Sequence, residues 1–167
     1  MPCRYKSLPA GGTFYALRRT QPPHLIFVEP RDYEDFEAFL AEALERTGTK
    51  LLGYCWMPDT IHLALNTHLT PLAEVMRRVT RYCSQRICRR TGAKARYMDS
   101  LPMRLPEPEI HLQMLLRYIH CIPVITGVAN TPDEYPYTSH RTYARKPQGP
   151  QIHTALLQSP AHVRRLH

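Results

Sequence analysis

Three parts of the sequence hold residue types at spacings that could support chemistry, and the first is the segment WMPDTIHLAL, residues 56–65. Side chains alternate between the two faces of a strand, so His62 is expected to share a face with Thr60, and Asp59 to lie on the opposite face. Two histidines at positions 60 and 62 would chelate a divalent metal from a single strand. Because position 60 is a threonine, the spacing by itself favours a hydrogen-bonded structural role for His62 over a metal ligand.

The second part is the segment EIHLQMLLRYIHCIPV, residues 109–124, whose apolar spacing predicts a helix. At about 3.6 residues per turn, Tyr118 shares a mostly apolar face with Met114 and Ile122, while His120 points to another face. A tyrosine on such a face usually belongs to a hydrophobic core. A tyrosine with an anchored ring and an exposed hydroxyl can instead act as a nucleophile, and the residues alone leave both interpretations open.

The third part is a basic segment, in which eight cations occur between residues 77 and 96 without an intervening acid. These cations are Arg77, Arg78, Arg81, Arg86, Arg89, Arg90, Lys94 and Arg96. The whole chain carries a formal net charge of +8 at pH 7. A local positive field attracts polyanions, so nucleic acid is the leading class of partner, and a solvated helix face is the alternative explanation of such a charge run.

Other kinds of site are not supported. No Gly-rich phosphate-binding loop occurs, and the serines, cysteines and histidines lack the spacing of a hydrolase triad. The five cysteines are scattered without a C-x-x-C pair, which argues against a disulfide framework and a zinc knuckle. No run approaches the roughly 18 apolar residues of a membrane span, and the first residues lack the apolar stretch of a signal peptide, so we expect a cytoplasmic protein.

The elements that must position these residues follow from hydrophobic periodicity and turn signals. Strands are predicted at residues 12–19, 24–30, 50–57 and 61–66. Helices are predicted at residues 32–46, 71–90 and 109–121, with an extended region before the last of them. This order predicts an α+β fold in which helices pack on an antiparallel sheet.

Local signals predict where these helices begin and end. Thr70 is expected to cap the second helix, with Pro71 at its first position and Gly92 as its stop. Pro123 is expected to close the third helix. We expect one domain over residues 1–149 and a C-terminal tail over 150–167 that forms a short helix.

Five segments, in this order along the chain, resemble the REP-associated tyrosine transposases, the single-tyrosine branch of the HUH endonucleases. They are GGTFYALRR, DYEDFEAFLAEALERTG, LLGYCWMPDTIHLAL, LLRYIHCIPVITGV and DEYPYTSHRTY. The resemblance covers roughly residues 5–145 and rests on the order of the segments rather than on one decisive motif. It implies a ferredoxin-like antiparallel sheet carrying helices, and binding of single-stranded DNA beside imperfect hairpins.

The resemblance also implies a chemistry. In this family a helix tyrosine attacks a phosphodiester, which leaves a 5′-phosphotyrosine and a free 3′-hydroxyl. A Mg²⁺ or Mn²⁺ ion polarises the scissile phosphate, held by two strand histidines and by a polar residue one turn after the tyrosine. Carried over by position, Tyr118 is the nucleophile and His62 the second histidine, whereas Thr60 and Ile122 occupy the other two ligand positions.

Neither replacement provides a good metal ligand, because a threonine hydroxyl is a poor substitute for imidazole and isoleucine has no donor atom. We therefore expect weak metal binding, and a metal-dependent DNA cleavage that is lost or severely weakened. DNA binding through the basic residues is the expected function, with the chain as a monomer or a homodimer. The alternatives are an active enzyme with non-standard ligands, or an RNA-binding or protein-interaction module that kept only the scaffold.

Overall fold

The computed structural model describes residues 8, 10–100 and 102–144, which form four strands and four α-helices. The strands are β1 (Gly12–Arg19), β2 (Lys50–Trp56), β3 (Thr60–Thr67) and β4 (Met103–Arg104). The helices are α1 (Pro30–Thr47), α2 (Leu72–Thr91), α3 (Pro108–Ile125) and α4 (His140–Ala144), with a single turn of 3-10 helix at Pro132–Glu134. The predicted tail over residues 150–167 lies outside the described residues.

The sheet is antiparallel with the strand order β2-β3-β1-β4. With the chain order β1-α1-β2-β3-α2-β4, this is the ferredoxin-like arrangement, and the predicted fold class is confirmed. β1 and β3 pair in continuous register from Gly12 opposite Thr67 to Arg19 opposite Thr60. His62 therefore lies in the centre of the sheet, between Leu17 of β1 and Cys55 of β2.

The two faces of the sheet bury different residues. One face packs against α1 and α2 around a core that includes Phe14, Trp56 and Leu63, all fully buried. The opposite face packs against α3 through a smaller cluster that includes Cys55 and Ile119. We call these the α1/α2 face and the α3 face. Alternation along β3 places Ile61, Leu63 and Leu65 on the former and His62 and Ala64 on the latter.

Helix α1 matches its prediction closely. Glu29 and Asp32 form a capping box at its start, and Gly48 ends it in the left-handed conformation at φ 60°. Helix α2 also ends as predicted, with Gly92 at φ 69°. Its predicted start is wrong by one residue, because Pro71 has extended backbone (ψ 143°) and is itself the N-cap in place of Thr70.

Two other boundaries differ from prediction. Pro123 does not close α3, which continues to Ile125. A proline in the last turn removes only one backbone donor, and the carbonyl of Pro123 accepts the amide of Val128 at 2.8 Å, which keeps the helix end hydrogen-bonded. The apolar run at 24–30 is not a strand, because the amides of Ile26 and Phe27 both donate to the Pro58 carbonyl instead of pairing along a strand.

The closeness of α3 to the sheet depends on Gly53 in β2. A Cβ atom at this position would lie 2.3 Å from Cδ2 of Leu116, which is inside the van der Waals limit. The ladder between β2 and β3 also shifts register at this point, between Leu51 and Gly53. The absent side chain therefore lets α3 approach the sheet at Leu116.

Candidate functional site

A cavity of about 290 Å³ opens between the α3 face of the sheet and the second half of α3. Its walls are formed by Leu17, Arg19, Met57, Asp59, Thr60, His62, Tyr118, Ile122, Ile125 and Thr126. The structure thus brings together around one cavity the four residues that the resemblance assigned to the nucleophile and ligand positions. They are Tyr118, His62, Thr60 and Ile122.

Tyr118 is partly exposed, and its ring lies against an aromatic neighbour. Its side chain is 49% exposed, so it is not part of the core that its helical face predicted as one alternative. Its ring meets the ring of Tyr15 edge to face, with centroids 6.1 Å apart and an interplanar angle of 84°. The ring is therefore anchored while the side chain remains accessible from the cavity.

His62 is 8% exposed, and its Nδ1 lies 2.8 Å from the hydroxyl oxygen of Tyr15. Burial lowers the pKa of His62 to about 4, with Asp59 acting to raise it and Arg19 to lower it further. The imidazole is consequently neutral at pH 7. In this state one ring nitrogen carries a proton and the other is an acceptor.

Tyr15 is a site residue that the sequence reasoning missed. It lies on β1, diagonally across the ladder from His62, and contacts both His62 and Tyr118. Burial raises its pKa well above the usual value for tyrosine, and the nearby Tyr118 hydroxyl raises it further. The alternation of β1 could have placed Tyr15 on one face with Leu17 and Arg19, but only the strand pairing reveals that this face is the one carrying His62.

The turn before β3 supplies a connected group of polar side chains. The Thr60 hydroxyl donates to Oδ1 of Asp59 at 2.9 Å, and Nε of Arg19 donates to Oδ2 of the same carboxylate at 3.1 Å. The prediction that Asp59 points away from His62 is wrong. Strand alternation begins only at Thr60, and Asp59 belongs to the turn, so its side chain is free to lie along the cavity wall.

A divalent ion, as the sequence resemblance implies, does not fit the donor set of this cavity. Within the described ranges, no group of three or more His, Cys, Asp or Glu side chains is arranged to hold a metal. Ile122 contributes only carbon atoms, and the Thr60 hydroxyl is already bound to Asp59. One imidazole and one carboxylate shared with Arg19 are fewer than the three protein ligands that the resemblance implies, and the other positions of an octahedral Mg²⁺ would fall to water or phosphate.

His120 lies on the other side of α3, as its helical position predicted. It is buried, and its Nε2 lies 2.8 Å from the hydroxyl of Ser139. Burial lowers the pKa of His120 to about 4, and the neighbouring His140 lowers it further. Because His120 lines a separate cavity behind α3, it is not available to the site around Tyr118.

Four of the predicted DNA-binding arginines form ion pairs within the chain. Arg77 and Arg78 both bind Glu74 in the first turn of α2. Arg86 binds Asp32 at 2.8 Å and Asp35 at 3.1 Å, and Arg90 also binds Asp32. Their DNA contacts stay a prediction, and part of their charge is neutralised by these acids.

Asp32 is the centre of the second of these networks. Burial acts to raise the pKa of its carboxyl, but hydrogen bonds from the Val28 amide, the Arg86 guanidinium and the Glu29 amide outweigh burial and hold the pKa below its usual value. The network ties the start of α1 to the last turns of α2. Its structural role explains why two of the arginines in the basic segment face α1.

The remaining four predicted cations, Arg81, Arg89, Lys94 and Arg96, are exposed and form no ion pair with the described residues. The chain after α2 runs beside the end of β1: the Gln21 amide donates to the Arg96 carbonyl at 2.9 Å, and the Met98 amide donates to the Arg19 carbonyl at 2.9 Å. We call Arg89, Lys94 and Arg96 the basic strip. The backbone that carries Lys94 and Arg96 follows the end of α2 and pairs with the end of β1, where Arg19 lies.

Comparison with known proteins yields a likeness in structure. No family model and no curated protein matches the sequence. The chain is similar in structure to a REP-associated tyrosine transposase solved bound to a REP hairpin, with a TM-score of 0.71 over 90% of this chain and 89% of that chain, at 11% sequence identity. The two proteins therefore share a fold, an α+β architecture on a four-stranded antiparallel sheet.

None of the helices in the described part of the chain combines the length and the apolar composition needed to cross a bilayer.

Proposed function

We propose that this chain is a degenerate relative of the REP-associated tyrosine transposases that binds structured single-stranded DNA beside a hairpin. The observation that carries the proposal is the cavity that joins Tyr118 and His62 to Arg19, at the end of the basic strip. A bound strand would place its phosphates along Arg89, Lys94 and Arg96 and enter the cavity at Arg19. The metal-dependent cleavage of the family is expected to be lost or severely weakened, since the described residues around the cavity offer a divalent ion only one imidazole and one carboxylate.

The charges and the accessible aromatic surface support single-stranded rather than non-specific polyanion binding. Phosphates are bound by exposed lysines and arginines, and unpaired bases stack on accessible aromatic rings. Tyr118 offers a half-exposed ring beside the cavity, and the exposed Ile125 lines the same cavity. The similar fold of a transposase solved with a REP hairpin supports the same class of ligand.

The proposal is tested by a gel shift with a hairpin oligonucleotide that carries a single-stranded 5′ extension. Binding should weaken steeply with salt, because each phosphate contact to a single strand contributes about −0.7 to the slope of log K against log salt. The double variant Lys94→Gln/Arg96→Gln should make this slope shallower by about 1.4. The absence of any salt-sensitive complex would overturn the proposal.

A matched control distinguishes the effect of the basic strip on DNA binding from the effect of net charge. The variant Arg31→Gln/Arg46→Gln removes the same charge from exposed, ion-paired positions on α1. It should leave the slope unchanged. Equal effects of the two double variants would mean that net charge, rather than this surface, binds the DNA. A preference for RNA hairpins in competition would instead favour an RNA-binding module.

One observation favours residual cleavage as a second candidate function. Asp59 lines the cavity with His62, so a carboxylate is available near Tyr118 that the family positions do not include. Incubation of a labelled oligonucleotide with Mn²⁺ would then yield a covalent protein-DNA adduct. The adduct should be abolished in Tyr118→Phe and reduced in Asp59→Asn if this candidate is correct.

A further inference from the structure

We infer that Tyr15 holds His62 in the tautomer that carries its proton on Nε2, so that His62 donates a hydrogen bond to a DNA phosphate oxygen instead of ligating a metal ion. Tyr15 is thereby a positioning residue, acting through His62. The inference rests on the proposed function and deepens it, because it names the group in the cavity that contacts the DNA backbone.

The first step is the contact itself. The Tyr15 hydroxyl lies 2.8 Å from Nδ1 of His62, a normal length for this hydrogen bond. The two rings are nearly parallel, at 14°, and both lie on the α3 face of the sheet. The neighbouring strands β1 and β3 pair in fixed register, so the sheet holds Tyr15 beside His62.

The direction of the hydrogen bond follows from the chemistry of the two groups. A phenol hydroxyl is a stronger acid than the N–H of a neutral imidazole, and an imidazole nitrogen is a stronger acceptor than a phenol oxygen. The favoured arrangement is therefore Tyr15 O–H donating to Nδ1 of His62, with the Tyr118 hydroxyl, the other partner of Tyr15, donating to the Tyr15 oxygen. A neutral imidazole has one protonated nitrogen, so the proton of His62, a residue that lines the cavity, is on Nε2, the nitrogen that Tyr15 does not contact.

This arrangement is the reverse of the one that supports metal binding. A histidine ligand commonly donates its second N–H to a carboxylate or a carbonyl, which leaves the opposite nitrogen unprotonated for the metal. Here the outer partner is a hydroxyl that donates, and the opposite nitrogen is a donor. The shortage of other ligands around the cavity and the tautomer of His62 thus point to the same conclusion.

A phosphate oxygen is the ligand that suits the resulting cavity. It can only accept hydrogen bonds, and Nε2–H of His62 supplies a donor at the cavity wall. Arg19, 53% exposed at its side chain, supplies the positive charge, since its second and third nitrogens are not used in the contact with Asp59. Hydrogen bonds to charged groups are the stronger class, so one donor has a measurable effect.

The tautomer is tested directly on the unmodified protein by long-range ¹H–¹⁵N correlation of the histidine rings. At pH 7 the His62 ring should show a single neutral form with the proton on Nε2, and Tyr15→Phe should convert it to a mixture of both tautomers. Selective broadening of His62 by added Mn²⁺ should be absent. A proton on Nδ1 in the unmodified protein, or broadening of His62 at micromolar Mn²⁺, would overturn the inference.

The phosphate contact is tested by oligonucleotide binding in the presence of EDTA. His62→Leu should weaken binding about 10-fold, the size expected for one hydrogen bond to a charged group, whereas His62→Gln, which keeps an N–H donor, should recover a large part of the loss. Equal affinities of the unmodified protein and His62→Leu would refute this inference while leaving the proposed DNA binding in place. The absence of binding in every protein would refute the proposed function itself.

Discussion

The α1/α2 face and the α3 face of the same sheet differ in what they bury. On the α1/α2 face, aromatic rings pack against one another: Phe36 contacts Phe27 and Trp56 with ring centroids 5.4 and 5.0 Å apart. On the α3 face, the buried His62 and the half-buried Tyr15 lie beside a cavity that stays accessible. One face is therefore suited to stability and the other to binding, and variants on each should separate the two.

The largest effect is expected from truncating the core of the α1/α2 face. Phe36→Ala removes a fully buried ring and should lower the free energy of unfolding by about 3–5 kcal/mol, measured by urea denaturation. Ile125→Ala, at a cavity-lining position that is 67% exposed, is the control and should change it by less than about 0.5 kcal/mol. Comparable losses in the two variants would contradict the division of the sheet into two functions.

The next effect is a dependence of stability on pH that arises from the α3 side of the molecule. His62 and His120 have a pKa of about 4 in the folded protein and 6.5 as ordinary histidines, so the unfolded chain binds more protons between these values. Stability should be complete above pH 6.5 and fall as the pH decreases towards 4, by on the order of 2–3 kcal/mol for each histidine.

This dependence is measured by urea denaturation at a series of pH values. His120→Gln should remove the part of the pH dependence of the unfolding free energy that one histidine contributes. The double variant with His62→Gln should remove most of the pH dependence between pH 6.5 and 4. A slope that persisted in the double variant would show that other groups titrate in this range.

A smaller effect is expected where α3 approaches the sheet. Gly53→Ala introduces a methyl group against Leu116 and should destabilise the fold by about 1–3 kcal/mol through overpacking. Leu116→Ala in the same chain removes the clashing atoms, so the double variant should lose less than the sum of the two single variants. Strict additivity in thermal unfolding would mean that this contact does not set the position of α3.

The smallest effect on stability is expected at the candidate nucleophile. Tyr118→Phe keeps the ring against Tyr15 and removes a hydroxyl from a half-exposed side chain, so the free energy of unfolding should change by less than about 0.5 kcal/mol. Any adduct with DNA should nevertheless be abolished. A large loss of stability would assign Tyr118 to the core after all and weaken its functional interpretation.

The sequence allowed the fold class and most helix and strand positions to be predicted, because each element has its own period of apolar residues. Helix α1 and the β2-β3 hairpin are examples in which local signals and tertiary packing agree. The resemblance of ordered segments also selected Tyr118 and His62, which the structure brings to one cavity. These successes depend on information that lies close together along the chain.

The errors concern information that is distant along the chain or irregular within it. The contact of Tyr15 with His62 joins residues 47 positions apart, and the Arg86–Asp32 pair joins residues 54 positions apart. Strand alternation misplaced Asp59 because the turn breaks the alternation just before Thr60. Periodicity contains neither the pairing of strands nor the local geometry of a turn.

The continuous pairing of β1 with β3 has a consequence for insertions and deletions. Since side chains alternate with a period of two, adding or removing a single residue in either strand would exchange the two faces beyond that point, and would move Tyr15 or His62 into the apolar interior. A change of two residues would preserve the faces and shift only the pairing. Chains related to this one should therefore vary in length at the turns that join these strands to their neighbours, and hardly ever within them.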